Sequence, residues 1–336
     1  MSYSTTMALL MYHIRSELYK TTDTSIIDIL AGSSVSSSYT TSDLITQALS
    51  RFEKGKINFD ELKRYILNIP IKFAKKVIEL TRDPDMKELI EAYMLYYEFY
   101  NLNTLLRAKL SGHTEKDLFL FNYSTTTTIE ELMNAERIED IKNHYIKTLL
   151  HHKLKNRNLY DAIKTVSIST INELLFLSSV EYYQNLISKK VKFGYNYERI
   201  VKIKSFYDIL MMLAKMKFIS GIDVEKYIQN LYFLEDKQNV LAEIFLSTKE
   251  SFIKKCIDTG ILPPNFILTD IDDIDKFKNI LLKNKCKDII IGTPMDPATV
   301  IAIIVMREID MKNYFAIIGG FESGFKLEEI RQDLVL

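Results

Sequence analysis

The sequence predicts an all-α fold built from three similar helical units, and three observations carry that expectation. From Met86 to Ser111 the chain has no glycine or proline, and its apolar residues recur at steps of three and four, the period of an amphipathic helix. At 1.5 Å per residue such a helix is roughly 35–40 Å long. Glycines at 112, 221 and 324 stand 109 and 103 residues apart, each behind a helix-patterned stretch, as a unit of about 105 residues used three times requires. Finally, only 10 glycines and 6 prolines interrupt 336 residues, which favours long helices over turns.

The repeat is visible in side chains. One row of the Met86–Ser111 helix carries Met94, Glu98, Asn101, Leu105 and Ala108, so an acid and an amide interrupt an apolar line. A shift of 212 residues gives Met306, Asp310, Asn313, Ile317 and Gly320, and carries Gly112 onto Gly324. The middle copy reads Ile203, Tyr207, Leu210, Ala214 and Lys217 and ends at Gly221; it keeps the helix and the glycine stop and lacks the acid and amide. The domains expected from this register are 1–115, 116–223 and 224–336.

In chain order, Met7–Leu18 reads as a short apolar helix and Ser33–Ser42 as a Ser/Thr-rich loop. Phe59–Leu80 reads as one or two helices, with Pro70 marking a bend or break. Asp83-Pro84 supplies the start of the central helix and Gly112 its stop. Thr114–Phe121 starts another helix, and Ser124–Thr128 leads into the acids Glu130 and Glu131. Ile141–Lys153, Leu159–Thr165, Ile171–Ser188, Tyr197–Phe218, Val224–Phe233 and Val240–Asp258 follow as helices. Leu262-Pro263-Pro264 is the strongest break. Ile289–Ile291 fits a short strand, although an isolated β-branched run is ambiguous. Helix resumes at Pro297, proline being suited to a first turn.

Composition narrows the function. Lysine and arginine together number 44, as do aspartate and glutamate, and a zero balance without a basic stripe argues against a nucleic-acid binder. Twenty tyrosines and 18 phenylalanines suit broad helix–helix packing. Two cysteines, Cys256 and Cys286, with no CxxC pair and no secretory leader, give a reduced, intracellular expectation. The longest membrane-like run, Ala298–Met306, has nine residues, against about twenty needed to span a bilayer.

Catalytic patterns are sparse. His151-His152 lies among lysines without acids or cysteines at ligand spacing, which fits a solvated helix face better than zinc. Asp270, Asp272, Asp273 and Asp275 lack the calcium-loop framework and read as a capping-rich helix start. Gly319–Lys326 lacks the Gly-Lys-Ser/Thr ending of a phosphate loop and follows a helix rather than a strand. Glu98 with Asn101, and Asp310 with Asn313, fit a buried hydrogen-bonded network fixing helix register better than general acids or ligands. Arg107 and Lys109 suit either a partner contact or the C-terminal end of the helix dipole. Tyr93, Tyr96, Tyr97 and Tyr100 read as packing. No catalytic residue, metal site or cofactor is expected.

Two runs carry a family resemblance. Tyr97–Gly112 holds an acid (Glu98), then Asn101-Leu102, then Leu106-Arg107-Ala108-Lys109 and Gly112; Arg307–Asn313, with Glu308, Asp310 and Asn313, continues to Gly324 and Leu327–Arg331. Both resemble the C subunit of archaeal and bacterial A/V-type ATPases (ATP synthases), the counterpart of the d subunit of the eukaryotic vacuolar ATPase. Phe315 departs from the arginine usual in that family, and Tyr12-His13-Ile14-Arg15 keeps only part of its usual start.

The resemblance implies a non-catalytic rotor component: three helical domains around a pseudo-threefold axis, forming a funnel. One end would sit on the cytoplasmic side of the membrane proteolipid ring, and the other would receive the central shaft made of the D and F subunits. Torque would thereby link ion translocation to the nucleotide-handling A/B head, with one copy per complex and no cofactor or nucleic acid. Glu98, Asn101, Arg107, Lys109, Gly112, Glu308, Asp310, Asn313 and Gly324 are then motif positions serving structure or partner contact. Two alternatives stand beside it. One is a generic α-helical scaffold, disfavoured because solenoid units run roughly 20–50 residues. The other is a helical enzyme with Glu98 and Asp310 converging in a solvent-open cleft.

Overall fold

The computed structural model describes residues 63–64, 66–113, 129–264, 270–292, 296–323, 325–326, 329 and 334–335. The expected Met7–Leu18 helix, the Ser33–Ser42 loop, the Thr114–Phe121 helix, the Ser124–Thr128 connector and Gly324 lie outside them. The described residues contain α-helices, one 3-10 turn and no strand, so the fold is all-α as the sequence predicts. They fall into two compact units: Met1–Ile141 with Leu282–Leu336, and the contiguous Lys142–Leu281.

The first unit contains α1 (Ile69–Leu80), α2 (Pro84–Leu110), α3 (Ile129–Met133), the start of α4 (Ile138–His151), the end of α11 (Asp273–Gly292) and α12 (Ala298–Glu322). Pro70 resolves the one-or-two-helix question. It stands in the first turn of α1, directly behind the turn at Asn68, so the chain breaks there rather than bending. The start of α2 is fixed locally, because the Asp83 carboxylate accepts the Asp85 amide at 2.9 Å and Pro84 occupies the first helical position.

Its end is fixed by Gly112, at φ +70°, with the His113 amide reaching the Ala108 carbonyl at 2.8 Å and the Gly112 amide reaching Lys109 at 3.3 Å. This double closure needs a left-handed residue, which glycine supplies without strain. From Leu89 to Leu106 most of α2 is buried, including Leu89, Ile90, Tyr93, Met94, Leu95 and Tyr97. Each large apolar side chain so removed from water contributes about 1.5–3 kcal/mol. α1 packs against both α2 and α12, and Ile301, Ile303 and Ile304 of α12 are also buried.

The second unit contains the rest of α4, α5 (Arg157–Thr165), α6 (Ile171–Ser188), α7 (Lys190–Phe218), α8 (Glu225–Ile228), a 3-10 turn (Tyr232–Leu234), α9 (Glu235–Phe245), α10 (Lys249–Asp258) and the start of α11. α6 has the bounds the sequence predicts. α7 starts earlier than expected and is two helical pieces joined at Gly194, whose φ 82°, ψ −178° lies in backbone space essentially reserved for glycine. α6 packs along α7, and the buried Tyr197 hydroxyl of α7 donates to the Leu186 carbonyl at 2.9 Å.

Three expectations are corrected here. Val224–Phe233 is not one helix, since α8 ends at Ile228 and Tyr232–Leu234 is a 3-10 turn. Val240–Asp258 is not one helix: Thr248 and Ser251 form a reciprocal capping box that starts α10 afresh. Ile289–Ile291 is not a strand. It is the last turn of α11, where Ile289 is buried and Ile291 is 82% exposed, the graded exposure of a helix face.

Candidate functional site

In the first unit one motif acid, Glu308 of α12, reaches across to α2. Glu308, 6% exposed, accepts the Tyr93 hydroxyl at 2.9 Å on one carboxylate oxygen and the Tyr97 hydroxyl at 2.7 Å on the other. The two tyrosines are one helical turn apart, so a single carboxylate spans both rungs. Hydrogen bonds to an ionised acceptor contribute about 1.5–3 kcal/mol each when buried. Of the four tyrosines the sequence reads as packing, Tyr93 and Tyr97 are buried and supply the donors to a motif acid, whereas Tyr96 is half-buried and Tyr100 exposed.

The two rows recognised in the sequence face inward. Met94, Glu98, Asn101 and Leu105 are buried on α2, as are Asp310, Asn313 and Ile317 on α12. Asp310 pairs with Arg307 across one turn at 3.4 Å. Asn313 forms a two-way clasp on the backbone of Val335, donating from its amide nitrogen at 3.1 Å and accepting the Val335 amide at 3.0 Å. Buried Lys283 of α11 donates to the same Val335 carbonyl at 2.9 Å. A catalytic pairing of Glu98 and Asp310 requires solvent-open carboxylates, whereas these residues are 3% and 5% exposed. Arg107 is exposed and Lys109 half-buried, both in the last turn of α2, where the helix dipole favours cations.

Neither Lys283 nor Val335 carries a sequence signal. Their partner lies 22 residues or more away, and the contact is to backbone.

The second unit has its own buried charge cluster, which the sequence did not reveal. Asp208 of α7 receives the Tyr183 hydroxyl of α6 and pairs with Lys278 of α11 at 2.5 Å and with Lys204 at 3.9 Å; Lys278 also binds Asp275. Burial pushes the Asp208 carboxyl up, but Lys278 and Lys204 outweigh it and hold it below its ordinary value. Burial likewise works to lower Lys278, and the two aspartates more than offset that, raising it. Cys256 is buried near the end of α10, and desolvation pushes its thiol up to about 12, the condition of an inert core thiol. The same unit opens a cleft of about 550 Å³ bordered by α5, α6, α8 and the 3-10 turn.

Motif residues buried in helix packing, with one acid bonded across to a second helix, define in class a helical structural framework. The chain belongs to the ATP synthase (C/AC39) subunit family, whose model matches residues 60–333. That is the family of the C, or d, subunit of A/V-type ATPases, as the two motifs predict. No curated protein and no solved structure matches the chain. Membership places it in a membrane ATPase complex, and among the described residues no helix is long and apolar enough to cross a membrane.

Proposed function

We propose that this chain is the non-catalytic central-stalk component that couples the D–F shaft to the membrane proteolipid ring, at the cytoplasmic face, one copy per complex. The observation that carries the reading is the family match, which runs through both units rather than one. The packing supports it. A torque coupler has to resist shear between its helices, and the Glu308 carboxylate bridging Tyr93 and Tyr97 ties α2 to α12 with two directional bonds inside a dense core.

The three-domain organisation belongs to this reading. Its support is that Gly112 and Gly221 both stand in left-handed backbone at helix ends, φ +70° and +67°. Glu98, Asn101, Glu308, Asp310 and Asn313 then hold the first unit together, and Arg107 and Lys109, at an exposed helix end, are the motif residues best placed to meet a neighbour.

The test is affinity purification of the tagged chain from gently solubilised membranes of its own cells, with every co-purifying protein identified. Recovery of a small proteolipid together with shaft and nucleotide-binding subunits supports the coupler. Recovery alone, or with unrelated soluble proteins, moves the scaffold reading to the front. The pure chain should hydrolyse no ATP; stoichiometric turnover would sink the non-catalytic reading.

A further inference from the structure

The second unit's cleft has walls of mixed character. Glu173, in the first turn of α6, lines it, with Phe176 one turn further on and Tyr227 of α8 opposite. The Tyr227 hydroxyl donates to one Glu173 oxygen at 2.6 Å, and the Tyr227 ring meets Phe176 edge-on at 5.2 Å. At the rim are Asp161, Lys226 and Tyr232, the last 64% exposed.

The charges are uneven. Among the described residues no lysine or arginine pairs with Glu173, a half-buried carboxylate whose one polar partner is a tyrosine hydroxyl. Asp161 has only a loose, exposed approach from Arg157 at 3.8 Å. Lys226 is the single cation of the lining, and its ammonium is drawn over the Tyr227 ring at 4.7 Å. Glu181, 8% exposed, follows the lining residue Val180, and burial pushes its carboxyl up. The cleft thus combines a carboxylate without a counter-ion, a second acid at its edge, and an aromatic face that already attracts an ammonium.

We propose that this cleft is a docking pocket for an arginine side chain, flanked by apolar residues, of a protein partner. A guanidinium is planar, pairs with a carboxylate through fixed donors, and stacks on aromatic rings, so one side chain satisfies Glu173, Tyr227 and Tyr232 together. Tyrosines flanking a charged anchor are typical of residues that dominate an interface. The inference stands on the cleft by itself and does not require the shaft and ring assignments.

The test uses the full purified chain with methyl-labelled leucine and valine, titrated with two capped tripeptides, Leu-Arg-Leu and Leu-Glu-Leu. The expected result is saturable shifts at Leu177, Val180 and Leu231, which line the cleft, with the arginine peptide and not with the glutamate peptide. Glu173→Gln keeps an oxygen to accept the Tyr227 hydroxyl, and should weaken arginine-peptide binding about tenfold without changing Tm. Tyr232→Ala, at an exposed position, should weaken it several-fold, and Lys226→Gln, which removes the competing cation, should tighten it.

Equal responses to both peptides, unsaturable shifts, or tighter binding of the glutamate peptide would overturn the proposal. So would a Lys226→Gln variant that binds the arginine peptide more weakly. If Glu173→Gln fails to fold, the two exposed variants decide the matter. Failure here leaves the co-purification result untouched, and failure there leaves this one untouched.

Discussion

The Tyr97 hydroxyl lies 2.7 Å from a Glu308 carboxylate oxygen, inside the core and across 211 residues of sequence. With Tyr93 on the other oxygen at 2.9 Å, this acid is solvated by protein hydroxyls in place of water.

Removing either hydroxyl should therefore destabilise the first unit. Tyr97→Phe and Tyr93→Phe are each expected to lose about 1.5–3 kcal/mol, read from urea midpoints. Glu308 should couple to both in double-mutant cycles, since the three groups share one network. Additive losses would mean that the carboxylate is held by other groups.

The Asp208 cluster predicts a pH dependence with a definite sign. Asp208 is held below its ordinary value of 3.8, so its contribution is fully present above that value and is lost as pH falls through the depressed one. Lys278 is raised above its ordinary 10.5, so its share is present below that value and lost only at higher pH. Asp208→Asn should lower stability by about 3 kcal/mol at pH 7, because it leaves buried Lys278 and Lys204 under-compensated. The gap from the parent should narrow below about pH 4. A gap that stays constant from pH 7 to pH 3 would show that Asp208 is not ionised in the folded chain.

Asn313→Ala should release the Val335 backbone. Two buried hydrogen bonds are lost, at about 1 kcal/mol each, and hydrogen exchange of the Val335 amide should accelerate by one to two orders of magnitude, roughly as those energies dictate. Asn313→Asp keeps the acceptor and loses the donor, so it should protect Val335 better than alanine does. Unchanged exchange in the alanine variant would move Asn313 from internal clasp to partner contact.

Gly112→Ala separates two readings of a motif glycine. A Cβ there meets nothing within 4 Å, so the only penalty is the positive φ, about 1–2 kcal/mol. Gly112→Asn should lose less, because asparagine tolerates that conformation. If instead assembly fails while stability is unchanged, the glycine serves a close approach by a neighbour.

How much of this was legible follows from where each signal lies. α6 and the stop at Gly112 were readable because period and cap chemistry are local. The break at Thr248 was missed because a serine and a threonine in an apolar-periodic run hide a capping box whose reciprocity only the fold reveals. Ile289–Ile291 misled because β-branching sets a preference for strand that packing against a core overrides.

The acid–amide rows announced a buried polar network, yet not its wiring. Glu308 sits two residues before Asp310 in the motif and binds tyrosines of another helix, and Val335 enters through its backbone, which has no sequence identity to read. The cleft has no signature in the sequence because its lining is spread over residues 156–232, on three helices and a turn that only the fold brings together.

The first unit is assembled from both ends of the chain, and that sets a timetable. Lys142–Leu281 is contiguous and can close as soon as it leaves the ribosome. Tyr93 and Tyr97 have to wait for Glu308, and Asn313 for Val335. At 5–20 residues per second, the 211 residues separating Tyr97 from Glu308 amount to roughly 10–40 s during which α2 has α1 beside it but lacks α12. For that interval the α12-facing side of α2 stays open to solvent, and the second unit should be the first part of the protein to become resistant to protease.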